Sequence, residues 1–520
     1  MEDIYRLAKP RRKGILRIVF SRFFLFLLLM ILEVMIYVSF YLLINSLLPY
    51  FSAFMALFTV AGVIYIFNND MDSSAKLTWM FLIALLPIPG AIFLFFTQMN
   101  FGERATKKRV NEIIEKTKTA IPQPEGVLEL IEKDGSGTDD LSRYLCRGGC
   151  FNVYNDTEVK YYPLGENMLE DLLEDLKKAE KFIFMEYFII EEGYMWGKIL
   201  EILVEKAKAG VDVRVMYDGM CLITLLPFNY NKLLEAKGIK AKSFAPIRPV
   251  VSSHYNYRDH RKITVIDGKI AFNGGVNLAD EYINHIEVFG HWKDTAVRLK
   301  GDAVKSFTLL FLQMWNITEK EPEYDKWITA EYEPPARASG FVLPFGDIPL
   351  DKDKAGENVY MDILNRATDY VHIMTPYLIL DDEFESSLLF AAERGIDVTM
   401  ILPGIPDKKP IYALAKSHYK RLVEAGIKIY EYTPGFVHAK VFVSDDQKAV
   451  VGTINMDYRS LYHHYECATY MYQTECVNDI EADFQETLAK CREVTLETIK
   501  HEKIGYKFGG ALMKFIAPLV

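Results

Sequence analysis

Two histidine–lysine pairs stand in the same setting 178 residues apart. The first reads His260-Arg261-Lys262-Ile263-Thr264-Val265-Ile266-Asp267, the second His438-Ala439-Lys440-Val441-Phe442-Val443-Ser444-Asp445. Both are H-x-K-x4-D, and Asn277 and Asn455 follow their histidines by seventeen residues. Two such copies with matched asparagines are on the order of a one-in-a-million accident. The chemistry they suit is transfer at a phosphodiester. An imidazole is a good nucleophile toward phosphorus near neutral pH, and a second one can protonate the leaving alcohol and then deprotonate the incoming one. Two lysines offset the charge of the phosphate and of its transition state.

The elements that must position these groups follow from their neighbours. Ile263 to Ile266 and Val441 to Val443 have strand character, so residues two apart, each His with its Lys, share a face. Downstream come Gly274-Gly275-Val276-Asn277 and Trp292-Lys293-Asp294 in the first copy. The second has Gly452-Thr453-Ile454-Asn455-Met456-Asp457, Arg459-Ser460 and Glu466. Thr453, Asn455 and Asn277 can hydrogen-bond phosphate oxygens, and Gly274-Gly275 reads as a tight turn that admits phosphate. Asp294 and Glu466 are candidates to hold the far ring nitrogen of a catalytic histidine and fix its tautomer.

These residues resemble the phospholipase D superfamily, whose signature is the duplicated H-x-K-x4-D. Within it the chain is similar to the bacterial cardiolipin synthase family. The likeness is carried by Asn256-Tyr257-Arg258-Asp259-His260-Arg261-Lys262, Asp280-Glu281-Tyr282, Trp292-Lys293-Asp294-Thr295 and Asn455-Met456-Asp457-Tyr458-Arg459-Ser460. It implies an α/β fold of two duplicated phospholipase D-like mixed-sheet domains related by a pseudo-two-fold, preceded by N-terminal transmembrane helices. It also implies a phosphohistidine on one of His260 and His438, with His260 the preferred nucleophile, and acid–base work for the other. Lys262, Lys440, Asn277, Asn455, Thr453 and Gly275 would surround the phosphate, and Asp267 and Asp445 would complete the motifs with structural hydrogen bonds. No metal and no cofactor is expected. Asp259 departs from the pattern, which calls for Asn there, and bears on packing near His260.

The chain has 520 residues and a net charge of -10, which argues against attraction to nucleic acid. Its first hundred residues differ in kind. Phe23 to Ile44 is apolar except for Glu33, and Leu47 to Phe67 and Leu77 to Phe96 carry no charge. Each is long enough to cross a hydrocarbon core of about 30 Å. Basic clusters precede the first segment (Lys9, Arg11, Arg12, Lys13, Arg17, Arg22) and follow the third (Arg104, Lys107, Lys108, Arg109), and both favour the cytoplasm. Three full crossings would separate them. Leu86-Pro87-Ile88-Pro89-Gly90 would break the third segment midway and give a re-entrant hairpin. Pro49 makes the second segment the other candidate to fall short. A multi-pass protein of the bacterial cytoplasmic membrane is expected, with its catalytic region on the cytoplasmic side. Glu33 reads as a carboxyl satisfied by a neighbouring helix. The six cysteines, with only Cys146 and Cys150 close, read as reduced thiols.

From about residue 160 strands and helices alternate, then repeat. Phe182 to Ile190, Trp196 to Lys208 and Gly210 to Tyr217 match Tyr370 to Ile379, Phe384 to Arg394 and Gly395 to Ile401. This is a duplicated α/β unit. The domains expected are a membrane region with two or three hydrophobic helices (1–110), a first half (111–330), a second half (331–500) and a C-terminal apolar segment (501–520). Glu319 to Asn358 reads as a linker or surface loop. Tyr506 to Val520 is either an amphipathic segment at the membrane interface or a helix docked on the core, with Gly509-Gly510 weakening any helix. Histidines outside the motifs read as surface or packing residues, though His463-His464 could border the site. Aromatics such as Tyr282, Trp292 and Tyr458 read as core.

The function so indicated is transfer of a phosphatidyl group from one phosphatidylglycerol to another, giving cardiolipin and glycerol. The partners are phosphatidylglycerol and other phospholipids, the membrane, and no nucleic acid; a homo-oligomer stays open. A membrane phospholipase D with water as acceptor would use the same motifs. A catalytically dead membrane scaffold would not need both motifs intact.

Overall fold

The runs of β-branched and aromatic residues become strands of two sheets with one strand order. A computed structural model describes residues 31–36, 38–39, 48–69, 71–98, 103–149, 151–246, 257–329, 335–350 and 353–517. The first sheet holds β1 (Glu158–Tyr162), β2 (Phe182–Tyr187), β3 (Asp212–Asp218), β4 (Lys240–Phe244), β6 (Lys262–Ile266), β7 (Ile270–Gly274) and β9 (Ala296–Lys300) in the order β1-β9-β7-β6-β2-β3-β4. Two short strands, β5 (Arg258–Asp259) and β8 (His291–Lys293), stand outside it. The second sheet holds β10 (Phe341–Asp347), β11 (Tyr370–Met374), β12 (Asp397–Pro403), β13 (Lys428–Tyr432), β15 (Val441–Ser444), β16 (Lys448–Gly452), β17 (His464–Tyr472) and β18 (Cys491–Val494). Its order is β10-β17-β16-β15-β11-β12-β13-β18, and β14 (Gly435–Val437) lies off it. Apart from β18, each strand has its equivalent in the first sheet, so the repeat legible in the sequence is a repeat of topology.

The halves exchange strands reciprocally. First-half β5 pairs with the start of β17, His464 opposite Arg258. Second-half β14 pairs with first-half β8, Phe436 opposite Trp292. These four segments immediately flank the two motifs and their tails. Lys293 adds a buried ion pair across the junction, its Nζ 2.6 Å from Asp483.

Between the sheets lies Val304–Trp315, with sequence VKSFTLLFLQMW. A helix apolar on every side belongs inside a core, and all its residues but Lys305 are buried. Phe311 stacks on Phe184 at 4.7 Å, and one continuous core runs from the first sheet through this helix into the second.

Residues 341–347 correct the sequence reading. They form buried strand β10, paired along its length with β17. Gly340 and Pro344 resemble loop punctuation, but β10 is an edge strand, where a residue without an N–H is tolerated.

In the N-terminal region, α1 (Leu48–Phe67) is the one helix among the described residues long and apolar enough to cross a membrane, and 11% of its 18-residue apolar window is buried. Pro49 sits in its first turn, where its missing N–H costs nothing. The third apolar segment divides into α2 (Ser73–Leu85) and α3 (Pro87–Gln98). The break falls at Leu86, which leaves the helical region (φ -135°, ψ 78°), as the residue before a proline is disfavoured there. Trp79 meets Phe93 at 5.3 Å and Gly90 lies against Leu82 and Ile83, so α2 and α3 form an antiparallel hairpin. Thirteen residues span about 20 Å, short of a bilayer core of about 30 Å. The first apolar segment lies outside the described residues except for helix at 31–36 and 38–39; there Glu33 is buried, lining a small cavity with Phe51, Ile88 and Pro89. The five cysteines described are free thiols, and Cys150 lies outside.

Two further helices matter below: α4 (Lys409–Glu424) and α5 (Ile504–Ile516).

Candidate active site

Each His–Lys pair leads into a strand at the junction of the halves: Lys262 opens β6, and His438 to Lys440 link β14 to β15. Backbone bonds seat both histidines on the opposite half: the N–H of His260 donates to Tyr465 O at 2.9 Å, and that of His438 to Lys293 O at 2.7 Å. Each lysine then folds back, Lys262 Nζ donating to His260 O at 2.6 Å and Lys440 Nζ to His438 O. All four side chains are buried.

The orienting carboxylates are crossed. His260 Nδ1 lies 2.9 and 3.0 Å from the two oxygens of Glu466, in the second half. His438 Nδ1 lies 2.6 Å from Asp294 Oδ2, in the first. A carboxylate here holds the proton on Nδ1 and leaves Nε2 with its lone pair. Glu466 is itself fixed, accepting from Ser460 Oγ at 2.7 Å and from Thr453 Oγ1. Asp294 Oδ1 accepts the N–H of Thr295 at 2.8 Å.

Burial sets the charge states. It pulls His260 down to about 3 against Glu466, which pulls the other way. His438 falls to about 4, burial and Lys440 outweighing Asp294. Burial thus favours the neutral form of both rings. Burial also lowers Lys262 to about 8 and Lys440 to about 7, opposed by Asp294 and Glu466, and the Lys262 charge pushes Lys440 down further. Lys262 depresses His438 as well, so the two motifs share one electrostatic field. An anion between these lysines would relieve their repulsion and hold both cationic.

Several residues assigned to phosphate by the sequence reading are engaged otherwise. Thr453 is fully buried, with its hydroxyl on Glu466 and on the Cys467 backbone. A side chain on Gly275 would meet Asp294 Oδ1 at 2.0 Å, so the glycine makes room for the carboxylate that orients His438. Asn277 spans Ile189 N (3.0 Å) and Tyr282 Oη (2.9 Å), which uses both ends of its amide. Asn455 differs: its Oδ1 is buried without a hydrogen-bond partner. Asp267 accepts the N–H groups of Glu180, Lys181 and Phe182, and Asp445 those of Thr368, Asp369 and Tyr370. Each motif aspartate thus closes the turn into the central strand of its half, far from proton transfer.

Sequence reasoning underrated His464. It is buried, with neither ring nitrogen in hydrogen-bond contact, 3.6 Å from Glu466 and with its ring 5.3 Å from that of His260. The signal available was its spacing: in strand β17 residues 464 and 466 share a face. The aromatics are wall as well as core. Tyr282, Trp292 and Phe436 ring His438 at 5.2 to 5.9 Å, and Phe188 meets His260 edge-on at 4.9 Å. Among the described residues, His260, His464 and Glu466 form one group with the atoms a metal would need. Glu466 already accepts from His260, Ser460 and Thr453, a hydrogen-bonded arrangement that leaves it little to offer an ion.

Beneath His260 lies the departure noted at Asp259. Glu186 and Asp259 are both fully buried, with Arg261 3.9 Å from Glu186 and the ion pair of Arg258 with Asp218 alongside. Burial drives Asp259 up to about 7 and Glu186 well above the usual carboxylate range, each opposed by Arg261. An acid raised on folding loses stability as pH climbs from its unfolded value near 4 through its folded one. Between about pH 5 and 8 the unfolding temperature should therefore fall more for this chain than for Asp259→Asn, by roughly 2–4 °C. Thermal unfolding in detergent across that range checks it, and parallel curves would rule out the strained carboxylate.

Two His–Lys pairs on twinned mixed sheets, each ring held by a carboxylate from the other half, define a phospholipase D-type phosphoryl-group transfer site. A family model described as "Cardiolipin synthase, PLD-like domain" matches residues 172–315 and 360–488. Cardiolipin synthase 2 of Bacillus anthracis is 32% identical over 475 residues, covering 89% of this chain and 91% of that protein. A cardiolipin synthase of Alkalihalophilus pseudofirmus is 31% identical, covering 88% and 91%. An uncharacterized protein of Streptococcus mutans is 56% identical over 461 residues, 89% of this chain and all of that one. The crystal structure of a phosphatidylserine synthase from Haemophilus influenzae shares the fold, with a TM-score of 0.54 at 15% identity over 69% of this chain and 93% of that one. The chain belongs to the cardiolipin synthase family of phospholipase D-like proteins.

Proposed function

We propose that this protein is a cardiolipin synthase that moves a phosphatidyl group between two phosphatidylglycerol molecules. The observation that carries the reading is the pair of crossed histidine–carboxylate contacts, which supports two imidazoles of fixed tautomer working on one phosphate. A pseudo-two-fold relation between the halves, supported by their reciprocal strand exchange, would bring the two rings to that phosphate from opposite sides. In the first step Nε2 of one histidine, His260 in our assignment, attacks the phosphorus of the first lipid. The P–O bond to the headgroup glycerol breaks, and His438, which takes up a proton on Nε2 beside the anionic phosphodiester and is steadied as imidazolium by Asp294, gives that proton to the oxygen of the departing glycerol. In the second, His438 takes the proton from the glycerol hydroxyl of the second lipid as its oxygen displaces the histidine, giving cardiolipin. One phosphodiester replaces another, so no nucleotide is needed. Lys262 and Lys440 neutralise the phosphoryl oxygens, and Asn455, whose carbonyl is unpartnered, contributes its side-chain amide to the phosphate.

The membrane arrangement follows the same logic. Two crossings, the first apolar segment and α1, followed by the α2–α3 hairpin dipping in and out, put both basic clusters and the catalytic halves on the cytoplasmic side. Tyr458 supports this placement: it lies near Asp72 and Ser74 at the start of α2, on the active-site side of the second half.

Purified protein supplied with phosphatidylglycerol vesicles should release cardiolipin and glycerol in equal amounts, and EDTA should change the rate by less than about twofold. Phosphatidic acid as main product would make the protein a hydrolase, and a loss restored by added metal would assign His260, His464 and Glu466 to an ion.

A further inference from the structure

Helix α5 shows two unlike faces. On one, Gly510 packs against α4 so closely that a Cβ there would meet Ala413 O at 2.4 Å. The glycine that looked like a helix weakness is what lets the two helices touch. Met513 and Ala517 continue this face into a cluster with Tyr458 and Leu414. On the other face Ile504, Phe508 and Leu512 recur every four residues and are 85%, 75% and 55% exposed. That spacing makes one stripe along the helix.

Three observations say what covers the stripe. The end of α5 is bound to the membrane hairpin: Thr78 Oγ1 donates to Phe515 O at 2.9 Å, and Phe81 meets the Phe515 ring edge-on at 4.9 Å. Helix α2 carries a matching stripe at Leu77, Phe81 and Leu85, 69%, 51% and 63% exposed, so an apolar surface begins on α2 and continues onto α5 through Phe515. Finally, α5 has no acidic residue, while Lys503, Lys507 and Lys514 are exposed along it, in a chain whose net charge is -10.

We infer that α5 lies along the cytoplasmic surface of the bilayer, its Ile504–Phe508–Leu512 stripe among the acyl chains and its lysines among anionic headgroups. The inference rests on the membrane placement proposed above. Such a helix holds by apolar burial together with attraction to anionic lipid. Since Tyr458 and Leu414 lie under its docked face, it would also press the second catalytic half against the surface that supplies the lipids.

The test uses the full-length protein in phosphatidylglycerol-containing vesicles, with a photo-crosslinking phenylalanine analogue at one position at a time. Replacing Phe508 should give a lipid adduct at least about tenfold above that from Leu130, which is half-exposed on the helix Val127–Glu132, near Asp134 at the far end of β17 from the site. Leu57 on α1, 71% exposed, reports the membrane placement itself. Adducts at Leu57 without any at Phe508 would overturn the inference and leave the placement standing, and adducts at neither would overturn both. A crosslinked dimer or protein adduct at Phe508 would assign the face to a protein partner instead. As a second measure, Phe508→Ser combined with Leu512→Ser, both outside the site, should raise the apparent KM for vesicle lipid at least about threefold. The effect should be absent in detergent micelles; an unchanged vesicle KM would count against the inference.

Discussion

Alanine at either His260 or His438 should lower turnover by at least about 10⁴-fold while the protein stays folded. In the proposed mechanism each ring has a task the other cannot take over in the same step, since one is bonded to phosphorus while the other moves the proton. The fold does not depend on either. The backbone N–H that seats each histidine on the opposite half is unchanged by the substitution, and the lost side chain leaves only a small gap beside Phe188 or Phe436. Radiolabelled phosphatidylglycerol conversion gives the rate, and an unfolding temperature within a few degrees of the parent establishes that the fold persists. If either variant retained more than about a hundredth of the parent rate, two imidazoles would not be sharing the work.

Glu466→Gln should be the next most damaging change, on the order of 10²–10⁴-fold in kcat. Its carboxylate holds the His260 ring and is held by Ser460 and Thr453. Glutamine keeps the size but can present an N–H to His260 Nδ1, which selects the wrong tautomer, and it no longer steadies an imidazole that becomes cationic. Asp294→Asn should do the same to His438. The crossing adds a sharper expectation, because residues acting as one unit are not additive. Glu466→Gln introduced into His260→Ala should cost almost nothing more, although the two positions lie in different halves. A rate that fell by the product of the single effects would mean Glu466 acts elsewhere.

Much of this is legible in the sequence. The duplicated motif announced two halves and one site, and the repeat of strand, helix and strand announced equivalent sheets. The Pro87–Gly90 run announced a break in the third apolar segment, where the chain does turn back. What stayed hidden has physical reasons. Sequence showed that Asp294 and Glu466 were suited to hold imidazoles but not which, because partner choice depends on how two sheets dock. Thr453, Gly275 and Asn277 were read as phosphate ligands because polar or small residues near such a motif suit an anion equally well. Only packing reveals that Thr453 anchors Glu466, that Gly275 clears space for Asp294 and that Asn277 ties Ile189 to Tyr282. Strand β10 hides in the sequence because edge strands tolerate the proline that loops also favour. Gly509-Gly510 was read from helix propensity, whereas contact with α4 decides its use.

The crossed contacts also bear on the birth of the molecule. A ribosome that has released residues up to about 330 has made His260 without Glu466, and Asp294 without His438. Such a nascent chain has a lone imidazole in no fixed tautomer. On the proposed mechanism it would stay inert through most of translation and become competent only when β17 emerges and docks. A truncated product, however well its first sheet folds, cannot begin to remodel the lipids around it.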